Sequence, residues 1–416
     1  MSEEFMSVIR RPARKTANET ATNEAATNGA ATDGAAESPS PGRPVMAIPA
    51  PTQKKIRLMD LRPDQIIALM GMLNEKTYRG AQLNHWLFNR GVRTFDEMTD
   101  ISKKSRDYLG ETVTPESTLR LEKDEAEPYG ARRFLWRLED DLFVESVLIR
   151  QTGHLTLCVS SQVGCRMGCR FCRTGTLGFT RNLTQGEIVE QLICARKIVP
   201  KKDMKITNVV FMGMGEPFDN AENVTNAFQI MVSPQYQAIP RRGVTISTVG
   251  MTEELKRFAE DPTLRCRLTV SLGAANDELR SELMPSNLKW PLDKIKRTIA
   301  AYQKLPSNTS SSWMTFAYVL LGGVNDSPKH AKELSRFMTG IKSKVNLIPF
   351  NPWPGAPFDR PSPQAIEAFR GVLVDKNHTA MIRETKGASI NAACGLLVAN
   401  QLDQAKPPEG PLGASL

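Results

Sequence analysis

Three of the chain's seven cysteines fall within eight positions of the stretch QVGCRMGCRFCRTG, residues 162–175. Cys165, Cys169 and Cys172 stand at CxxxCxxC spacing, with no fourth cysteine close by. A structural zinc site closes on four ligands. No second CxxC pair exists to supply one, which leaves His154, four residues before Cys158, as the candidate fourth ligand. Iron–sulfur chemistry fits the pattern better. Three thiolates on a cubane leave one iron with an open position, able to hold a substrate or cofactor. A tight loop at this spacing wraps three corners of the cube, with Gly164 and Gly168 easing the turns. The expectation is one 4Fe–4S cluster on Cys165, Cys169 and Cys172, with an open iron.

The other cysteines are Cys158, Cys194, Cys266 and Cys394. An odd, clustered set in a chain lacking the apolar core of a secretory signal does not read as a disulfide framework. Cys194 and Cys266 read as structural thiols. No uninterrupted apolar run approaches the length of a membrane span, so the expectation is a cytoplasmic protein without membrane contact. The 416 residues carry a formal charge of +9, which favours an anionic partner, nucleic acid first. The clusters ARKIVPKKDMK (195–205) and PRRG (240–243) read as solvated faces.

The elements that must position these residues follow from composition and period. Residues 1–54 form a low-complexity tail, with no aromatic side chain between Phe5 and Tyr78, and are expected to be disordered. Residues 55–120 read as a small helical domain with many basic side chains, Asp64 capping the helix that follows it. Residues 121–150 read as a β-hairpin connector turning at Glu139–Asp141. From 151 to 401, apolar β-rich runs alternate with helix-length segments at 185–198, 252–260, 291–304, 328–339 and 362–376. That rhythm predicts an α/β fold, a partial (β/α) TIM-like barrel with a parallel sheet and right-handed crossovers. Residues 402–416 read as a flexible tail. The unusual residues fall just after the strands: the cysteine cluster, GMGEP, STVG, SLGA, GGVND and NPWPG. In a parallel barrel such positions surround one mouth.

The cysteine spacing, followed by GMGEP after the next strand, is the pattern of the radical S-adenosylmethionine (SAM) superfamily. More specifically, TLCVSSQVGC, TLGFTRNLT, NVVFMGMGEP, LIPFNPWPGAP and ETKGASINAACG resemble the RlmN/Cfr family of RNA adenosine methyltransferases, from about residue 56 to 397. The resemblance implies a radical SAM barrel preceded by an accessory domain that docks on RNA. It implies two SAM molecules per turnover, one as methyl donor and one as the source of a 5′-deoxyadenosyl radical, which can functionalise an adenine carbon too poor a nucleophile for simple displacement. Cys394 matches the cysteine that carries the methyl group and then holds the RNA covalently. Cys158 matches the cysteine that resolves the adduct through a transient disulfide, and Glu145 matches the proton acceptor. Matching also gives Gly215, Glu216, Ser247, Ser271, Leu272, Gly273 and Asn351 as SAM-binding positions, Asn351 on a loop stiffened by Pro349, Pro352 and Pro354. At 271–274 the family reads SLHA, whereas this chain has Gly273 in place of the histidine.

The implied reaction is methylation of adenine C2 in the peptidyl-transferase region of 23S rRNA and in tRNAs. Its partners are those RNAs and an electron donor such as flavodoxin or ferredoxin, for a monomeric enzyme. Two other readings stay open: Cfr-like methylation at C8 by the same cysteines, and a non-enzymatic iron–sulfur or zinc RNA-binding protein.

Overall fold

A computed structural model of the chain describes residues 55–397, apart from 73–74, 129, 201–203, 306–312, 384–385 and 388. Both expected tails, and residues 398–401 of the expected barrel domain, lie outside the described residues.

Ten strands form one sheet, and every strand pairs with its neighbour in the chain. In order they are β1 (Arg120–Ala126), β2 (Ala131–Arg137), β3 (Phe143–Gln151), β4 (His154–Cys158), β5 (Ile206–Phe211), β6 (Val244–Thr248), β7 (Arg267–Ser271), β8 (Met314–Leu320), β9 (Ser343–Pro349) and β10 (Thr379–Ile382). Strands β1 to β4 pair antiparallel, and β4 to β10 pair parallel. Each parallel step is bridged by a helix: Gln185–Ile198, Ala221–Val232, Thr252–Glu260, Leu292–Lys304, Pro328–Met338 and Pro363–Asp375. The α/β barrel expectation is met. Val, Ile and Phe fill the parallel strands because both faces of such a sheet are covered. The helix starts use local chemistry. Thr184 and Glu187 form a capping box (Glu187 N–H to Thr184 Oγ1 3.2 Å, Thr184 N–H to Glu187 Oε2 2.9 Å), and Ser362 caps a helix that begins at Pro363.

Residues 121–150 belong to the same sheet: β1, β2 and β3 extend it antiparallel beyond β4. The N-terminal region is helical, with helices Pro63–Met72, Thr77–Asn84 and Lys103–Thr112. Asp64 sits inside the first turn and pairs with Arg62 instead of capping it, because Pro63 takes the first helical position. This region packs on the helix Gln185–Ile198, whose residues from Gln185 to Ala195 are all buried. Gln185 Nε2 donates to the carbonyls of Met59 (3.2 Å) and Leu61 (2.9 Å). Gly186 leaves room for that approach, since a Cβ there would lie 2.6 Å from Asp60 Oδ1. Cys194 is buried at this junction beneath the Arg93 guanidinium, and Thr118 is held by the buried Glu190 carboxylate.

Candidate active site

The first crossover begins with the cysteine loop. After β4, residues Gln162–Gly164 pair antiparallel with Phe179–Asn182, pinching the segment between them into a closed loop. Cys165 N–H donates to Gly178 O (2.7 Å), and Cys172 N–H donates to Cys169 O (3.0 Å). Gly164 and Gly168 both have positive φ, +77° and +64°. At Gly164 a Cβ would also strike Gly178 O at 2.1 Å. The glycine is required by geometry and by space.

The loop forms one wall of the cavity at the carboxyl ends of the parallel strands. This cavity encloses about 1180 Å³, including its opening to solvent. Cys165, Cys169 and Cys172 line it together with Gly215, Glu216, Ser247, Ser271, Gly273, Asn351 and Cys394. Burial pushes Cys165 up to about 12 and raises Cys169 and Cys172, and neighbouring thiols add to each shift. Thiols so placed need a cationic partner before they can hold charge. Among the described residues no three His, Cys, Asp or Glu side chains gather tightly enough for a single metal ion. The three cysteines share one wall of the cavity. His154 stands at the opposite end of β4, where Nδ1 meets Thr152 O (3.2 Å) and Nε2 meets Asn208 (3.3 Å). It cannot complete a set with the three cysteines.

The strand ends supply the other walls. Gly213 and Gly215 pass so close to β4 and its continuation that a Cβ would meet Val159 O at 2.7 Å and Gln162 Cβ at 2.5 Å, and Gly215 has φ +98°. Glu216 is buried and braces two turns: Oε1 accepts from Phe218 N–H (3.1 Å) and Oε2 from Val249 N–H (2.9 Å). Burial lifts its carboxyl to about 7. Ser247 and Ser271 approach each other at 3.5 Å between the hydroxyl oxygens, a contact weak enough to yield to a ligand. Asn351 accepts from Arg360 Nη1 (3.0 Å) and reaches the Cys394 carbonyl (3.4 Å). Leu272 does not line the cavity. Its side chain is fully buried, its N–H donates to Ala317 O (3.0 Å), and its carbonyl accepts from Arg280 Nε (2.9 Å). At Gly273 φ is +68° and a Cβ would lie 2.6 Å from Met284 Sδ, so Met284 occupies the space a side chain would need.

Cys394 lies on the loop after β10, exposed between buried Ala393 and Leu396. Two bonds tie that loop to the cysteine loop: Arg173 N–H to Gly395 O (2.9 Å) and Thr174 Oγ1 to Leu397 O (2.6 Å). On the other side Glu127, in the β1–β2 turn, accepts from Gly387 N–H (2.9 Å) and Ser389 N–H (3.1 Å). Cys394 also lines a second cavity with Gln151, Arg383 and Lys386. Cys158 ends β4 in the core, close enough to Cys394 for the two to interact electrostatically. Burial pushes its thiol up to about 12, partly offset by Arg383. Glu145 is fully buried on β3 and lines neither cavity. It shares the strand face of Val147, the residue paired with Cys158, and its Oε1 meets Arg133 Nη1 at 3.2 Å.

Several contributing residues escaped the sequence reading. GGVND does not line the mouth but braces it, through Asn325 Nδ2 donating to Gly273 O (2.7 Å). Glu127 and Met284 carry no motif, and Thr174, within the cysteine stretch, drew no role from its type or spacing. Arg280 lies in the charged segment DELRSEL, which drew no reading from the sequence, and it is fully buried.

Comparison with known proteins agrees with this geometry. A family model described as the radical SAM superfamily matches residues 159–334, and one described as the ribosomal RNA large subunit methyltransferase N-terminal domain matches 56–114. The chain is 45% identical over 339 residues to the dual-specificity RNA methyltransferase RlmN of Geobacter sulfurreducens, covering 82% of this chain and 90% of that protein. It is 40% identical to RlmN of Syntrophus aciditrophicus over 352 residues, 84% of this chain and 98% of that one. The crystal structure of a radical SAM methyltransferase from Sphaerobacter thermophilus superposes with a TM-score of 0.78 at 36% identity, covering 83% and 99% of the two chains. Membership brings SAM and a 4Fe–4S cluster as cofactors. This chain belongs to the RlmN family of radical SAM RNA methyltransferases.

Proposed function

We propose that the enzyme methylates C2 of adenine 2503 in 23S rRNA and of adenine 37 in tRNAs, using Cys394 as methyl carrier and Cys158 as resolving thiol. The observation that carries this reading is the position of Cys394. It lines the same cavity as Cys165, Cys169 and Cys172, on a loop tied to theirs by Arg173 and Thr174. Cys165, Cys169 and Cys172 would hold the cluster, while Gly215, Glu216, Ser247, Ser271, Gly273 and Asn351 shape the space for SAM. When bound, these cofactors supply a methyl group and a hydrogen-abstracting radical, two SAM molecules being consumed per turnover.

The chain's own residues divide the remaining work. The Cys394 sulfur, exposed and shared by two cavities, takes the methyl group on the cofactor side and meets the base on the other. An adenine must leave its stack to reach it. The resemblance gives Glu145 as the acceptor for the proton lost from the attacked carbon; buried on β3 and lining neither cavity, it can take that proton only through an intervening carrier. The Cys158 sulfur then attacks Cys394 Sγ as the bond from that sulfur to the RNA-borne methylene carbon breaks; the carbon takes up the proton that Cys158 gives up and becomes the methyl group, and the two sulfurs are left as a disulfide. The N-terminal helical domain provides RNA docking, and recognition rests on shape, phosphates and unstacked bases. A low-potential donor such as flavodoxin or ferredoxin reduces the enzyme, which works as a cytoplasmic monomer.

Anaerobic reconstitution with iron, sulfide, SAM, a reductant and a 23S rRNA fragment or tRNA tests the reading. Mass spectrometry of the digested RNA should find 2-methyladenosine. Finding 8-methyladenosine without it overturns the C2 assignment, and absence of 5′-deoxyadenosine overturns the radical reaction itself.

A further inference from the structure

Arg280 is the one fully buried arginine among the described residues, and no carboxylate pairs with it there. Its donors go to neutral oxygens instead. Nε serves Leu272 O (2.9 Å), Nη2 serves Val249 O (2.7 Å), and Nη1 serves Trp290 O (3.0 Å) and the Asn287 side chain. Asp277 is the nearby carboxylate, and its Oδ1 is taken by Leu292 N–H (2.9 Å). Burying an ion without a paired opposite charge is costly, and carbonyl dipoles repay only part of that cost.

The placement suggests what balances it. The helix bearing Arg280 abuts the cysteine loop: Arg170 N–H donates to Leu283 O (3.0 Å), and Met284 fills the space between Gly273 and Phe171. Arg280 interacts electrostatically with Cys169. With a cluster bound, three thiolates would make this end of the cavity anionic, and reduction of a 4Fe–4S cluster adds one more electron to it. A fixed buried cation stabilises the reduced form relative to the oxidised one, more strongly than an exposed cation would.

We propose that Arg280 is the built-in counter-cation of the cysteine-bound cluster, setting its reduction potential as well as clamping the ends of β6 and β7. The proposal rests on reading Cys165, Cys169 and Cys172 as cluster ligands. Three variants test it: Arg280→Gln removes the charge, Arg280→Lys keeps it, and Asn287→Asp sets a carboxylate against the guanidinium. Each full-length chain is reconstituted anaerobically with iron and sulfide, without SAM or RNA. Dithionite titration followed by electron paramagnetic resonance then reads the one-electron couple. Arg280→Gln and Asn287→Asp should each lower the reduced-to-oxidised ratio at a fixed potential about tenfold, equivalent to about 59 mV. Arg280→Lys should stay within about twofold of the parent chain. An unchanged ratio in neutralised variants that hold a cluster overturns the proposal and leaves Arg280 a mechanical clamp. If Arg280→Gln takes up no cluster, Asn287→Asp decides by the same criterion. Failure of the parent chain itself to take up a cluster would instead overturn the ligand assignment, a distinct result visible in its absorption spectrum and iron content.

Discussion

The two thiols assigned to the methyl relay sit in surroundings built in opposite ways. Cys158 ends a central strand, is buried, and has its thiol pushed up to about 12. Cys394 is exposed on a segment without helix or strand, held by Arg173, Thr174 and Glu127. One is sheet, with its geometry fixed by the ladder. The other is a loop whose position depends on a few hydrogen bonds between neighbours distant in the chain. The difference fits a division of labour. A carrier must meet both donor and acceptor, whereas a resolving thiol must stay protonated and out of reach until the adduct exists.

The sharpest way to break that contrast is to remove each sulfur. Cys394→Ala should lower RNA methylation by about 10³-fold or more, since the acceptor of the methyl group is gone. Cys158→Ala should still form the covalent RNA adduct but fail to release it, giving a slow-migrating protein–RNA species on denaturing gels. Turnover by the Cys394 variant, or free product from the Cys158 variant, would show that the two sulfurs do not have these roles.

A second effect concerns reactivity before any RNA is present. At pH 8 a thiol at about 12 offers roughly one thiolate in ten thousand. Iodoacetamide should therefore label Cys394 at least about 100-fold faster than Cys158 in the folded chain, as read by peptide mass spectrometry. In guanidinium the two rates should converge. Equal rates in the folded chain would remove the difference in environment on which the comparison rests.

The sheet wall has its own titration. Glu216 ties the turn after β5 to the end of β6, and burial raises its carboxyl from 4.5 to about 7. A raised folded-state value means the protonated form is favoured by folding. Its contribution is complete below pH 4.5 and is lost as pH rises through about 7. Urea unfolding of the cluster-free chain should show stability falling by up to about 3 kcal/mol across that window, relative to Glu216→Gln. A flat difference, or one rising with pH, contradicts the assigned burial of this group.

These contrasts follow how much of the molecule was legible from the sequence. The parallel strands were readable because they are short apolar runs, most of them closed by Gly, Pro or Asn, and the helices because helix-length segments separate those runs. The cysteine loop was readable because three ligands and two turn glycines are local. What closes the site was not. Glu127 reaches the Cys394 loop across about 260 positions, and Asn325 reaches Gly273 across 52. Such contacts leave no spacing to read. Arg280 was hidden differently, since its helix, DELRSEL, has the charge pattern of a solvated surface. Leu272 shows the converse: a place within SLGA put it among the cofactor positions, while its side chain, one residue past the end of β7, is buried in the core.

The loop wall gives the smallest effect and the most specific one. Thr174 is buried, and its hydroxyl donates to Leu397 O at 2.6 Å, anchoring the segment just past Cys394 to the helix that follows Cys172. Thr174→Val keeps the shape but leaves that carbonyl without its donor, at a cost of about 1–2 kcal/mol. Because the bond joins a loop to the scaffold and not the parts of the sheet, the cost falls on loop closure and leaves the global melting temperature nearly unchanged. The Cys394 loop should become more open to limited proteolysis, and methylation of Cys394 should slow about 5- to 30-fold by the same arithmetic. Thr174→Ser, which restores the hydroxyl, should return both readouts to near the parent values. If Thr174→Val instead lowers the melting temperature and leaves the rate of Cys394 methylation unchanged, the loop is as firmly built as the sheet, and the contrast between the two walls fails.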